Sequence, residues 1–223
     1  MLSPGAFNRT VIVLDPAHGG GDTGSRINDQ LVEKDVTLAL ALKLRTLLGQ
    51  HGFTAVMTRD NDGGSAIPGP PLSLDDRAGI ANHARPVACL LLHATSSGSG
   101  VHLYTSDLDS APGESVPAAW LTAQAAWVTQ SQRLAAQMGT SLDRAKIARV
   151  VNRASVRPVD SLTCPALVVE LAPIGGDATS LADGAYQQRV AEALTQALIF
   201  WQTQAQPPTR LTPAEPLTSE VQP

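Results

Sequence analysis

Short apolar runs alternate with amphipathic stretches along most of this chain. Residues 11–15 form an apolar run closed by Asp15 and Pro16, which predicts a fully buried first strand. Leu38, Leu42, Leu44 and Leu48 recur at helical spacing, predicting a helix over about 34–50 that Gly52 stops. Residues 53–58 are β-prone, and 63–71 carry the glycine and proline of a surface loop. Ser73 with Asp76 three residues on has the form of a capping box, opening a helix to about Ala84. The run 87–92, ending at His93, predicts a central strand. A Ser/Gly turn at 96–100 leads to a fourth strand at 101–105.

Pro117 suits the first position of an Ala-rich helix reaching about Met138, followed by a short helix or turn near 142–150. An extended segment at 154–158 precedes another buried strand, 166–171, which ends in Glu170-Leu171. Ser180 is placed to cap a last helix running to about Gln202. Strands alternating with helices imply an α/β fold: a single domain with a mostly parallel sheet of about six strands and helices on both faces. From residue 204 the composition turns to proline, threonine, glutamate and serine, so residues 1–203 read as the domain and 204–223 as a Pro-rich flexible tail.

Composition narrows the classes. The 223 residues carry a formal net charge of −4, against the basic face of a nucleic-acid binder. No run approaches the ~18 apolar residues of a membrane span. The first residues lack a basic segment before an apolar core, so no secretory signal is expected from them. Two cysteines are too few for a disulfide scaffold or a Cys-rich zinc site. Cys89, inside a core strand, reads as a small apolar residue. A bridge to Cys164 stays open and would need Cα atoms within ~7 Å.

In parallel α/β sheets, ligands sit outside the carboxyl ends of the strands. His18 follows the first strand, His93 ends the third, Glu170 ends a late strand, and Glu33 lies in the loop entering the first helix. Two histidines and a carboxylate with one open position make a common catalytic zinc set, and a further carboxylate beside it can serve as general base. The glycines at 19–21 lack the lysine and spacing of a phosphate loop.

The ordered motifs Asp15-Pro16-Ala17-His18-Gly19-Gly20, Glu33-Lys34-Asp35, Thr58-Arg59-Asp60, Arg77-Ala78-Gly79-Ile80-Ala81-Asn82, Leu92-His93-Ala94 and Val169-Glu170-Leu171 resemble those of a known family. They are similar to the zinc-dependent N-acetylmuramoyl-L-alanine amidases, the type-3 peptidoglycan amidases. The resemblance covers about residues 10–202. It implies one Zn2+ held by His18, Glu33 and His93, with Glu170 as the catalytic glutamate. The implied reaction cleaves the amide between N-acetylmuramic acid and L-alanine of a peptidoglycan stem peptide. Its substrate places the protein outside the cytoplasm, in periplasm or cell wall.

Three positions depart from the family pattern: Ala17 for glycine, Thr95 for asparagine, and Ala172-Pro173 for Gly-Phe. They motivate an alternative, a degenerate domain that binds peptidoglycan or a partner without cleavage. A zinc peptidase or an amidase acting on a different amide is a third reading. Asp15 reads either as a residue orienting His18 or its loop, or as a strand-end carboxylate capping loop N–H groups. By analogy with the family, Arg157 is a candidate for holding a stem-peptide carboxylate or polarising the carbonyl, against a plain surface arginine. His51 and His83 read as helix-end residues and His102 as a surface position more than a rim one. The segment 105–117, with Asp107, Asp109 and Glu114, reads as an ordinary loop rather than a blocking insert.

Overall fold

The computed structural model describes residues 8–62, 71–109 and 120–204. Its strands are β1 (Asn8–Pro16), β2 (Thr54–Met57), β3 (Pro86–Ala94), β4 (Val101–Ser106), β5 (Arg149–Ala154) and β6 (Ala166–Leu171). They form one six-stranded sheet in the order β2-β1-β3-β6-β4-β5. Strands β2, β1, β3 and β6 are mutually parallel; β4 pairs antiparallel with β6 and parallel with β5. The last two strands therefore run against the other four.

The helices are α1 (Glu33–Gln50), α2 (Leu74–Ala84), α3 (Val128–Arg144) and α4 (Gly184–Gln204). Alternation along the strands sends side chains to two different layers. Ile12, Leu14, Leu90, Leu92, Val169 and Leu103 pack with Leu44, Leu134, Met138 and Leu194 under α1, α3 and α4. Each such leucine contributes roughly 1.5–3 kcal/mol by leaving water. Val13, Leu91 and Val168 face a smaller cluster with Ala78 and Ala81 of α2 and with Val159 and Leu162. The sheet thus has a thick helical face and a thin one.

Ser73 caps α2 as expected: its hydroxyl accepts the Asp76 N–H at 3.1 Å, and the Asp76 carboxylate accepts the Ser73 N–H at 3.2 Å. Other expectations are corrected. The α-helix of the third quarter starts at Val128 after a 3₁₀ turn (Trp120–Ala126) and runs on to Arg144. The short helix or turn expected near 142–150 is the end of that helix and a turn at 145–146; the edge strand β5 that follows is exposed along nearly its whole length and carries no burial pattern. Ser180 lies within a 3₁₀ turn (Ala178–Ala182), and the Asp183 carboxylate accepts the Ala185 N–H at the start of α4.

Cys89 and Cys164 form a disulfide, with Cα atoms 6.4 Å apart. Cys89 is opposite Ala166 in the β3–β6 register, which brings the residue two before Ala166 within reach of it. The residues of the expected loop at 63–70, Pro117, Glu114 and the tail from 205 lie outside the described residues. Among the described residues no helix is long and apolar enough to cross a membrane.

Candidate metal centre and catalytic rim

The loop after β1 is built to hold one imidazole. His18 adopts a left-handed backbone, φ 63°, which costs a residue with a Cβ. Two guanidinium groups fix that turn. Arg77 donates to the His18 carbonyl at 2.6 Å, and Arg59 donates to the Pro16 and Ala17 carbonyls at 3.0 Å each. Gly24 is required where it stands: a Cβ there would lie 2.4 Å from His18 Cδ2, on a backbone with φ +65°.

Asp15 does not touch the His18 ring. Its Oδ1 accepts from Arg77 at 2.6 Å and from the Thr58 hydroxyl at 2.5 Å, forming a buried ion pair under the loop. Asp15 thus acts on the loop and not on the ring, through Arg77, which in turn holds the His18 carbonyl. The role near the ring belongs to Asp22, whose Oδ2 meets His18 Nδ1 at 2.8 Å. Metal-ligating histidines commonly present their second nitrogen to a carboxylate in this way, leaving Nε2 to bind.

Glu33, first residue of α1, is tied to the same loop: its N–H donates to the Ser25 carbonyl and the Ser25 N–H donates to Glu33 Oε2, both at 2.9 Å. Its carboxylate straddles the two imidazoles. Oε2 lies 3.1 Å from His18 Nε2 and Oε1 lies 2.8 Å from His93 Nδ1. The two rings meet edge to face, with centroids 5.7 Å apart. Burial pushes the Glu33 carboxyl up, but the hydrogen bonds from His18, His93 and the Ser25 N–H outweigh it and hold it well below the usual range. The hydrogen bond to Glu33 raises His18, against burial and with help from Asp22.

One ligand atom from each of His18, Glu33 and His93 lies within 4.8 Å of the others. Donors of a tetrahedral zinc at bond lengths of ~2.0–2.1 Å stand roughly 3.3 Å apart. The 2.8 and 3.1 Å separations around Glu33 are of that scale, and two nitrogens with one carboxylate suit zinc while leaving a position open. His18, His93 and Glu170 keep side-chain exposures of 24%, 27% and 24%, so a substrate reaches them from solvent.

Glu170 stands opposite His93 in the parallel β3–β6 register and opposite His102 in the antiparallel β6–β4 register. The three side chains therefore form a row across adjacent strands on one face. His102, read from the sequence as a surface position, is 13% exposed, with Nδ1 2.8 Å from Glu170 Oε2. Tyr104 donates to the same oxygen at 3.5 Å. Burial first, then the charge and hydrogen bond of Glu170, push the Tyr104 phenol up. Arg157 is half-exposed and donates to Asp75 of α2 at 2.8 Å.

The departures from the family pattern serve backbone links. The Ala17 N–H donates to the Leu92 carbonyl and the Thr95 N–H to that of Leu171. The Ala172 N–H donates to the Gly100 carbonyl, and the Gly100 N–H to that of Pro173. None of them takes a donor atom from the cluster.

Fold and site together define an α/β domain that presents a His/Glu/His cluster beside a carboxylate at one rim of its sheet. Residues 12–199 match the N-acetylmuramoyl-L-alanine amidase family, and the chain belongs to it. It is 30% identical over 187 residues to N-acetylmuramoyl-L-alanine amidase LytC of Bacillus subtilis, covering 82% of this chain and 34% of that one. It is 40% identical over 86 residues to N-acetylmuramoyl-L-alanine amidase AmiA of Escherichia coli, covering 39% of this chain and 27% of that one. The match thus spans about a third or less of these two curated relatives. Among solved structures, N-acetylmuramoyl-L-alanine amidase AmiC2 of Nostoc punctiforme shares the fold, with TM-score 0.68 and 24% identity over 87% of this chain and 98% of that one.

Proposed function

We propose that this domain hydrolyses the amide between the lactyl group of N-acetylmuramic acid and L-alanine of a peptidoglycan stem peptide. In this reading a zinc ion is held by His18, Glu33 and His93, and Glu170 is the general base. The convergence of those three donors beside Glu170, in a chain of this family, carries the reading. Bound there, a divalent cation supplies Lewis acidity that brings deprotonation of water near neutral pH. Glu170 takes the proton of the attacking water as its oxygen bonds to the lactyl carbonyl carbon. The C–N bond then breaks, and Glu170 returns the proton to the departing amine of alanine. Proton transfer of this kind is worth ~10²–10⁴-fold. Asp22 engages His18 Nδ1, which leaves Nε2 as the nitrogen turned toward Glu33 and the ion, and Arg59 and Arg77 hold the loop that carries the ring.

The Cys89–Cys164 disulfide supports action outside the cytoplasm, since such bridges persist in oxidising compartments. Purified muropeptide incubated with zinc-loaded protein should release free stem peptide. Chelator should abolish release, and added zinc should restore it. Release that ignores chelator, or binding of muropeptide without release, would contradict this function; the second result would select the binding-only alternative.

A further inference from the structure

His102 lies outside the His18, Glu33 and His93 cluster, yet among the described residues it makes the shortest side-chain hydrogen bond to Glu170. It enters from β4, opposite Glu170, and presents Nδ1 to Oε2 at 2.8 Å. Tyr104, two residues on and on the same face of the strand, aims its hydroxyl at the same oxygen at 3.5 Å. The two rings stand edge to face, with centroids 6.4 Å apart. The turn of residues 96–100 closes over the imidazole: a Cβ on Gly98, φ +79°, would lie 2.5 Å from His102 Cε1. The ring is thus packed by both the turn and the tyrosine. Both donors engage Oε2, whereas Oε1 accepts no hydrogen bond among the described residues.

We propose that His102 is a positioning residue for Glu170, holding Oε2 through an Nδ1–H hydrogen bond so that Oε1 is the oxygen that exchanges the proton. The proposal rests on the amidase reading above. A carboxylate is an acceptor only, so this contact requires a proton on Nδ1. A flexible glutamate beside a cation cluster has two competing fates, as an extra ligand or as a free base. Donors drawn from β4 pull it away from β3 and keep it a base. In turnover, Oε1 takes the proton of water, the C–O bond forms, the C–N bond breaks, and Oε1 delivers that proton to the amine. His102 keeps its own proton throughout.

The test compares wild type, His102→Phe and His102→Asn, each zinc-loaded, on muropeptide. The phenylalanine removes the donor, whereas the asparagine amide places an N–H near the position of Nδ1. We expect His102→Phe to lose about 10–100-fold in kcat, the range for loss of residues that orient active groups, with KM within about twofold. His102→Asn should recover most of that loss. A side chain that merely packs would be replaced better by phenylalanine than by asparagine, so the reversed order, or an unchanged kcat in His102→Phe, overturns the proposal. Nitrogen NMR of the metal-free protein gives a second readout that does not depend on turnover. Wild type should show His102 protonated on Nδ1, and Glu170→Ala should shift the proton to Nε2. An Nε2–H tautomer in wild type overturns the proposal even if the phenylalanine variant fails to fold. Wild-type protein that releases no stem peptide overturns the amidase reading instead, and the tautomer then decides the pairing by itself.

Discussion

The two faces of the sheet solve different problems. Under α1, α3 and α4, leucines from every layer close a dry core, and any one of them is replaceable by a residue of like volume. On the other face a smaller cluster under α2 is reinforced by the disulfide and by the Asp15–Arg77 pair. Beyond that cluster the same face carries the row His93, Glu170 and His102 at the rim. The larger apolar core lies on one side, and the other side carries partly exposed, hydrogen-bonded polar groups at its rim. The difference predicts that substitutions separate into those that move melting temperature and those that move turnover.

The largest separation is expected at Glu170. Glu170→Ala should lose ~10²–10⁴-fold in kcat while keeping zinc content and melting temperature, as read by stopped assays, metal analysis and calorimetry. Arg77→Leu should break the separation, because it acts on both. It strands the buried Asp15 charge, costing about 3–5 kcal/mol in denaturant unfolding, and it frees the His18 carbonyl. Leu44→Ala, in the thick face, should cost roughly 2–5 kcal/mol with kcat per folded molecule unchanged. A fall in kcat there would show the faces to be coupled. Gly24→Ala should push the His18 ring aside and weaken zinc binding by about 10–100-fold in a chelator competition.

The smallest effect is in pH. In metal-free protein Glu33 is held below its unfolded value, so its contribution to stability is present above about pH 4.5 and lost on acidification. His18 is raised, so its contribution is present below about pH 6.5 and lost as pH rises through its folded value. Chelated protein should therefore melt highest between those limits. The increment added by zinc should grow with pH, since binding needs neutral imidazoles. A zinc increment that falls from pH 6 to pH 8 would contradict this.

Much of this arrangement was legible because buried strands are short apolar runs whose carboxyl ends mark a rim. That rule finds His18, His93 and Glu170, and the capping box finds α2. It misses His102 because it assumes parallel strands: β4 is reversed, so its amino-terminal end reaches the rim. The signal was present in Gly100-Val101-His102-Leu103-Tyr104, where polar and apolar positions alternate, but the strand's direction was not. The disulfide was hidden for a related reason. Cys89 lies on β3 and Cys164 two residues before β6, and only the adjacency of those two strands brings them together. Arg157 was placed by analogy alone, and its contact with Asp75 on α2 had no signal in the sequence.

The central claim is that three side chains far apart in sequence share one cation. The most direct measurement is a crystal of zinc-supplemented protein with data collected on both sides of the zinc absorption edge. The account predicts one anomalous peak per chain, bonded by His18 Nε2, His93 Nδ1 and a Glu33 oxygen. A peak lying elsewhere, or none at those donors in protein that metal analysis shows to be loaded, would contradict it.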